Sequence, residues 1–271
     1  MKFNQRKLFQ WAKIIIIIYC GIGIGVYYLQ EKLLFHPKKL DSHYHYNFAQ
    51  PFEEINIPVN KTDTVNLIKF FPKDSTRRGL VLYFHGNMKN VERYAVYAAN
   101  FTRNGYETWI EDYPGFGKST GERTEKKLYD QALQIYKMAV SLYASDSIVI
   151  YGKSLGTGIA AYVASVTNCK KLILETPYYS IPDIFACYGG FVYPLNVMMA
   201  YKIPTWQFLQ EVKAPVTIFH GTTDWVIPYS SAKKLKQYLK AGDEFITIPG
   251  GGHNNLSDIT IFQSKLDSLL K

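Results

Sequence analysis

The chain has 271 residues, 47% of them hydrophobic and 20% charged, enough apolar material for a real core and too much for wholesale disorder. The formal net charge of +9 first suggests a nucleic-acid or membrane partner. Residues 1–40 carry seven of the 31 cations and one of the 22 anions, so +6 sits in the N-terminal region and only +3 in the rest. That near-balance sets nucleic-acid binding aside.

Ile14 to Leu29 reads IIIIIYCGIGIGVYYL and holds no charge. With Trp11 and Ala12 added and Lys13 snorkelling, the run approaches the roughly 20 residues needed to cross a bilayer. Trp11 at one end and Tyr27 and Tyr28 at the other stand where interfacial aromatics belong. Residues 1–30 are therefore expected to form an uncleaved signal anchor, ahead of a catalytic domain over 31–271. No clear small-x-small cleavage site follows the run, and Tyr19 is too bulky to precede a lipoprotein Cys20. Lys2, Arg6, Lys7 and Lys13 precede the span, against Lys32, Lys38 and Lys39 after it. This bias puts the N-terminus in the cytoplasm and the domain outside it. Gly21 and Gly25 form a GxxxG pair, a weak dimerisation signal.

From residue 53 strands and helices alternate. Residues 53–59 and 65–71 predict a hairpin, and LVLYF at 80–84 reads as a buried strand. A helix is expected over 91–104, a strand over 108–111 and a long amphipathic helix over 124–144. Strand 147–151, helix 155–167 and strand 172–174 follow. Strand 216–219, helix 230–240, strand 245–248 and helix 256–270 close the chain. The alternation implies one α/β domain with a mostly parallel central sheet flanked by helices. Residues 177–212 interrupt it with eleven aromatic or methionine side chains and four prolines. They form either additional core or a small lid over an apolar substrate cleft.

Gly152-Lys153-Ser154-Leu155-Gly156 is a G-x-S-x-G pattern between a strand and a helix. It makes Ser154 the candidate nucleophile on a strained turn, where bulkier neighbours would clash. A nucleophilic serine needs a base, and the base needs an orienting acid. Of six histidines only His220 and His253 follow Ser154. His220 ends a strand and reads as structural. His253 follows Gly250-Gly251-Gly252 on a loop after the final strand, and is the candidate base. Asp224, just past strand 216–219, is the candidate acid, with Glu175 its main rival. The backbone amides of Leu155 and Asn87 are the candidate oxyanion donors, Met88 being the alternative to Asn87. His85 is expected to brace that loop.

Three cysteines (Cys20, Cys169, Cys187) make no disulfide framework, and two of them are expected as buried free thiols. No Cys/His cluster has metal-ligand spacing, and no cofactor is expected. Gly115-Phe116-Gly117-Lys118-Ser119 resembles the end of a phosphate loop, but Asp112 stands where its first glycine is required.

HGN at 85–87, DYPGFGKSTG at 112–121, GKSLG at 152–156, HGTTDWVIP at 220–228 and GGGHNN at 250–255 occur in that order. Together with LQEKLLFHP at 29–37 they resemble the Bem46-like α/β-hydrolases. These group with alpha/beta hydrolase domain-containing proteins 13 and 17 and are labelled serine aminopeptidase S33-type. The resemblance implies an α/β-hydrolase fold over residues 28–271, a triad on Ser154, Asp224 and His253, and Asn87 in the oxyanion loop. It also implies action on acyl groups, since animal members cleave acyl thioesters from proteins. The chain departs from the pattern at Asn255, where an acidic residue is common. The substrates expected are an acyl-bearing small molecule, lipid or acylated protein. A small-peptide hydrolase and a non-catalytic membrane-bound binding module are the alternatives.

Overall fold

The computed structural model describes residues 5–73 and 77–271. Ten strands occur among them: β1 (His36–Pro37), β2 (Phe52–Pro58), β3 (Thr64–Phe70), β4 (Gly79–Phe84), β5 (Met88–Lys89), β6 (Tyr106–Glu111), β7 (Ile148–Lys153), β8 (Lys171–Glu175), β9 (Val216–Gly221) and β10 (Glu244–Ile248). Eight of them build one sheet in the order β10-β9-β8-β7-β4-β6-β3-β2. Only β3 runs against the others, since it pairs antiparallel with both β2 and β6. The remaining pairs are parallel. The expected hairpin and parallel sheet are both present.

Alternation along each central strand sorts side chains to two cores. Leu80, Leu82, Ile148, Ile150, Leu172 and Leu174 face one core. Val81, Tyr83, Val149, Tyr151 and Ile173 face the other. The first core is covered by α4 (Glu125–Val140) and α5 (Gly156–Val166), the second by residues 91–101 and the C-terminal helix α10 (Thr260–Leu269). Helix α4 starts where Thr124 accepts the Lys127 amide at 3.2 Å, an N-cap.

The helix expected over 91–104 is broken. It forms α2 (Val91–Tyr94), a 3₁₀ turn and α3 (Ala99–Thr102). The helix expected over 230–240 likewise shortens to α9 (Tyr229–Lys233) followed by 3₁₀ turns.

At the N-terminus α1 (Gln5–Leu34) is a single unbroken helix. Its segment Phe9–Leu34 is long and apolar enough to cross a membrane. The helix passes residue 30 without a break, and Leu34 and Phe35 are buried in the first core.

Residues 177–212 are divided between the two uses expected of them. Tyr178, Ile203 and Leu209 are core, and α8 (Thr205–Glu211) packs beside α5. Between them α6 (Ile181–Cys187) and α7 (Leu195–Met198) rise as a cap with Phe191 and Val197 outward.

One buried ion pair ties the sheet centre together. Lys153 at the end of β7 pairs with Glu175 at the end of β8, and Tyr151 also donates to Glu175. Removing one partner of such a pair strands a charge in a dry interior, at a cost of about 3–5 kcal/mol. Lys153→Met should lose about that much in urea unfolding, and Lys153→Met with Glu175→Leu should recover most of it. Equal losses in the single and double variants would contradict this account of the pair.

Candidate active site

Parallel strands deliver their carboxyl ends to one rim. Strands β4, β7, β9 and β10 all end there, and the segments that follow them carry Asn87, Ser154, Asp224 and His253.

Ser154 has φ +52°, in the left-handed region where a residue with a Cβ is strained. Its flanking glycines make that turn possible. A Cβ on Gly156 would lie 2.0 Å from the Phe84 carbonyl oxygen, and one on Gly152 2.6 Å from the Gly156 carbonyl oxygen. The Ser154 amide donates to the Glu175 carbonyl at 2.9 Å, which pins the turn to β8. Helix α5 begins two residues later, so its positive end faces the serine.

His253 lies within reach of both partners. Its Nδ1 is 2.8 Å from Asp224 Oδ2, and its Nε2 is 2.9 Å from Ser154 Oγ. A carboxylate can only accept, so Nδ1 carries the proton and Nε2 is free to accept from the serine. The loop is held by Asn255, whose Oδ1 accepts the Gly252 amide at 2.7 Å. An asparagine oxygen thus closes this turn.

Asp224 Oδ1 accepts the amides of Val226 at 2.9 Å and Ile227 at 2.8 Å. Burial raises its pKa, but the hydrogen bond and charge of His253, the Ile227 amide and His220 outweigh that and hold it below the usual value. His220 is fully buried and donates Nδ1–H to the Gly221 carbonyl at 3.0 Å. Burial lowers its pKa, and its Nε2 lies 3.8 Å from Asp224 Oδ2. His253, not His220, is thus the histidine that meets both the carboxylate and the serine.

Glu175, the rival acid, is committed to Lys153 and Tyr151, and His253 meets Asp224 instead. His85 also braces its loop, stacked on Tyr94 with ring centroids 4.8 Å apart and donating Nδ1–H to the Gly86 carbonyl at 2.6 Å. The phosphate-loop-like segment is structural as well. Lys118 pairs with Glu54, and Ser119 donates to the Asp112 carbonyl.

A cavity of about 340 Å³ opens beside Ser154. Asn87 and Leu155 line it, and among the described residues neither backbone amide has an acceptor. The Met88 amide is taken by the Tyr94 hydroxyl at 3.3 Å, which leaves Asn87 as the free donor of the two. The rest of the wall is apolar or aromatic, including Tyr178, Ile181, Phe185 and Ile227.

Sequence reasoning missed one wall. Leu33 and Leu34, the last turn of α1, line the cavity, and Asn87 Nδ2 donates to the Leu34 carbonyl at 2.7 Å. The signal was present in LQEKLLFHP, where apolar residues continue beyond the expected anchor.

A mostly parallel eight-stranded sheet with one reversed strand, and a serine on a strand–turn–helix elbow, is the α/β-hydrolase fold. Solved structures agree. An esterase of Pyrococcus furiosus, Pf2001, is 15% identical and covers 88% of this chain and 96% of its own, with a TM-score of 0.67. Est1E of Butyrivibrio proteoclasticus, solved with ferulic acid bound, is 18% identical over 80% of this chain and 97% of its own, at 0.64. Residues 75–210 match the family model described as serine aminopeptidase, S33, and the chain belongs to that family of hydrolases. Among curated relatives, alpha/beta hydrolase domain-containing protein 17C of Xenopus tropicalis is 29% identical over 71% of this chain and 60% of its own. The corresponding protein aho-3 of Caenorhabditis elegans is 26% identical over 70% and 57%. The chain thus spans about 60% of the length of these curated relatives.

The depressed carboxyl of Asp224 has a consequence for stability. A carboxylate stabilised in the folded state contributes fully above its ordinary value of 3.8, and that contribution is lost as pH falls through the lower folded value. Asp224→Asn should be less stable than the parent at neutral pH, and the gap measured by urea unfolding should narrow below the ordinary value. A gap that stays constant or widens in acid would contradict the assignment.

Proposed function

We propose that this hydrolase cleaves an ester or thioester through an acyl-serine intermediate, with Ser154, His253 and Asp224 as its triad. The observation that carries the reading is the continuous contact from Asp224 through His253 to Ser154, at 2.8 and 2.9 Å. Ser154 Oγ attacks the substrate carbonyl while His253 Nε2 takes its proton. The amides of Asn87 and Leu155 receive the negative charge on the carbonyl oxygen. His253 then returns the proton to the departing alcohol or thiol, and water, activated by the same imidazole, releases the acid. Asp224 holds the tautomer and stabilises the imidazolium.

The cavity favours acyl groups over small peptides. Its lining is largely hydrophobic, with no carboxylate to hold a peptide's ammonium group. An acylated small molecule, lipid or protein is the substrate class. We also read α1 as a membrane anchor, with the catalytic domain on the extracytoplasmic side. Its apolar length and the excess of cations before the span support this.

A fluorophosphonate probe should label the parent and leave Ser154→Ala unlabelled. Ser154→Ala and His253→Ala should lower kcat/KM on nitrophenyl acyl esters by about 10⁴-fold or more, and Asp224→Asn by about 10²–10⁴-fold. Labelling of Ser154→Ala equal to the parent would end the proposal. Faster turnover of aminoacyl amides than of acyl esters would move the substrate class to peptides.

A further inference from the structure

The cap over the cavity carries a surface that the catalytic reading leaves unused. Ile184 to Tyr201 is an unbroken run without Asp, Glu, Lys or Arg. The charged residues that bound it are tied to the body of the domain. Asp183 pairs with Lys234 and accepts from Ser231, while the Lys202 amide donates to Glu125. Within the run Phe191 is 75% exposed and Val197 84%.

This surface is continuous with α1. Tyr19 stacks on Tyr193 with ring centroids 4.5 Å apart. The Tyr19 hydroxyl donates to the Val192 carbonyl and the Tyr193 hydroxyl to the Tyr19 carbonyl, both at 3.0 Å. Lower on the cap, Gln30 Oε1 accepts the Ala200 amide at 2.7 Å. The Gly23 position would bring a Cβ within 3.1 Å of the Tyr193 ring, so helix and cap lie in close contact there.

Helix geometry then fixes the depth. At about 1.5 Å per residue, Tyr19 lies roughly 22 Å from Leu34 along α1. The stretch from Phe9 to Ile18, which precedes the contact and includes Lys13, is only about 15 Å long, half the roughly 30 Å of a bilayer's hydrocarbon. A bilayer that α1 crosses must therefore extend past Tyr19 and surround the cap as well. The exposed surface of α1 from Tyr19 to Leu29 carries no charge, with Ile22, Ile24 and Tyr28 all exposed. Part of the cap backbone is already paired internally, as lipid demands of polar groups. The amides of Tyr193, Leu195 and Met199 donate within the cap, and that of Ala200 to Gln30.

We infer that the cap Ile184–Tyr201 is a second membrane-embedded element, immersed beside α1 in the leaflet nearest the catalytic domain. Leu33 and Leu34 of α1 and Ile184, Phe185 and Tyr188 of the cap together line the cavity at Ser154. The cavity is thus walled by the two elements that touch lipid, and an acyl chain resident in the bilayer reaches the serine between them. This rests on the anchor reading of α1 and deepens the acyl-hydrolase reading.

The test uses the full chain in lipid nanodiscs, on a background with Cys20, Cys169 and Cys187 changed to serine. Single cysteines at Val197, Ile17 and Val96 carry an environment-sensitive fluorophore. Val96 is exposed on the opposite face of the sheet and serves as the aqueous control. The expected result is a blue-shifted Val197 probe quenched by nitroxide-labelled lipid, as at Ile17, with Val96 in water. Ile17 in lipid and Val197 in water would overturn the inference and leave the anchor intact. All three probes in water would overturn the anchor and the inference together. A Val197 probe that is blue-shifted but not quenched by lipid would mean that protein covers the cap, which also overturns it. Phe191→Asp with Val197→Asp should lower hydrolysis of vesicle-embedded long-chain esters by about tenfold or more. Turnover of a soluble short-chain ester, and fluorophosphonate labelling, should not change. Equal loss on both substrates would contradict a role at the lipid surface.

Discussion

The site depends on one strained residue. Ser154 sits at φ +52°, a conformation that costs a side-chain-bearing residue roughly 1–2 kcal/mol. The chain tolerates it because both neighbours two positions away are glycines in contact with backbone, and because the Ser154 amide is tied to the Glu175 carbonyl. Glu175 is itself held by Lys153 and Tyr151 in a buried cluster. The strain thus rests on the centre of the sheet, where neighbouring strands are buried on both faces. Relaxing the turn would withdraw Oγ from the rim and from His253.

Sheet order brings in the other two groups. Strands β9 and β10 are parallel neighbours, so the loops after them emerge side by side and carry Asp224 and His253. Asp224 is fixed by the two amides that follow it in its own turn. It therefore remains a charged acceptor although it is buried, and one imidazole is enough to link it to the serine. His220 approaches the same carboxylate oxygen from a buried position, and burial lowers its pKa.

Much of this was legible in the sequence because each motif stands next to a strand, and strand ends in parallel sheets share a rim. Ser154, Asp224 and His253 were readable for that reason. Glu175 could be weighed only as a rival, because its commitment to Lys153 and Tyr151 is a contact across strands. The break in the helix after Val91 was hidden because the apolar spacing of residues 91–104 suits α and 3₁₀ turns alike. The pairing of β1 with β5 involves two residues on each side, one of them proline, too short to leave a period. The role of residues 177–212 was open between core and lid, and composition could not separate them. Burial divides the segment, with Tyr178 and α8 inside and the Phe191 region outside. Least visible was the end of α1. A run of apolar residues reads as an anchor, and nothing in it announces that Leu33 and Leu34 also line the cavity beside Ser154.

Helix α1, the cap and the cavity are therefore one connected apolar system, with the Ser154 elbow at its inner end. What links that system to chemistry in the proposed mechanism is covalent: the acyl group transfers to Ser154 Oγ before water releases it. The most direct measurement is rapid-quench mass spectrometry of the enzyme during turnover of a nitrophenyl acyl ester. The account predicts a burst of nitrophenol with a matching acyl increment on the peptide that contains Ser154. Steady product formation with no such adduct, or an adduct on another residue, would contradict it.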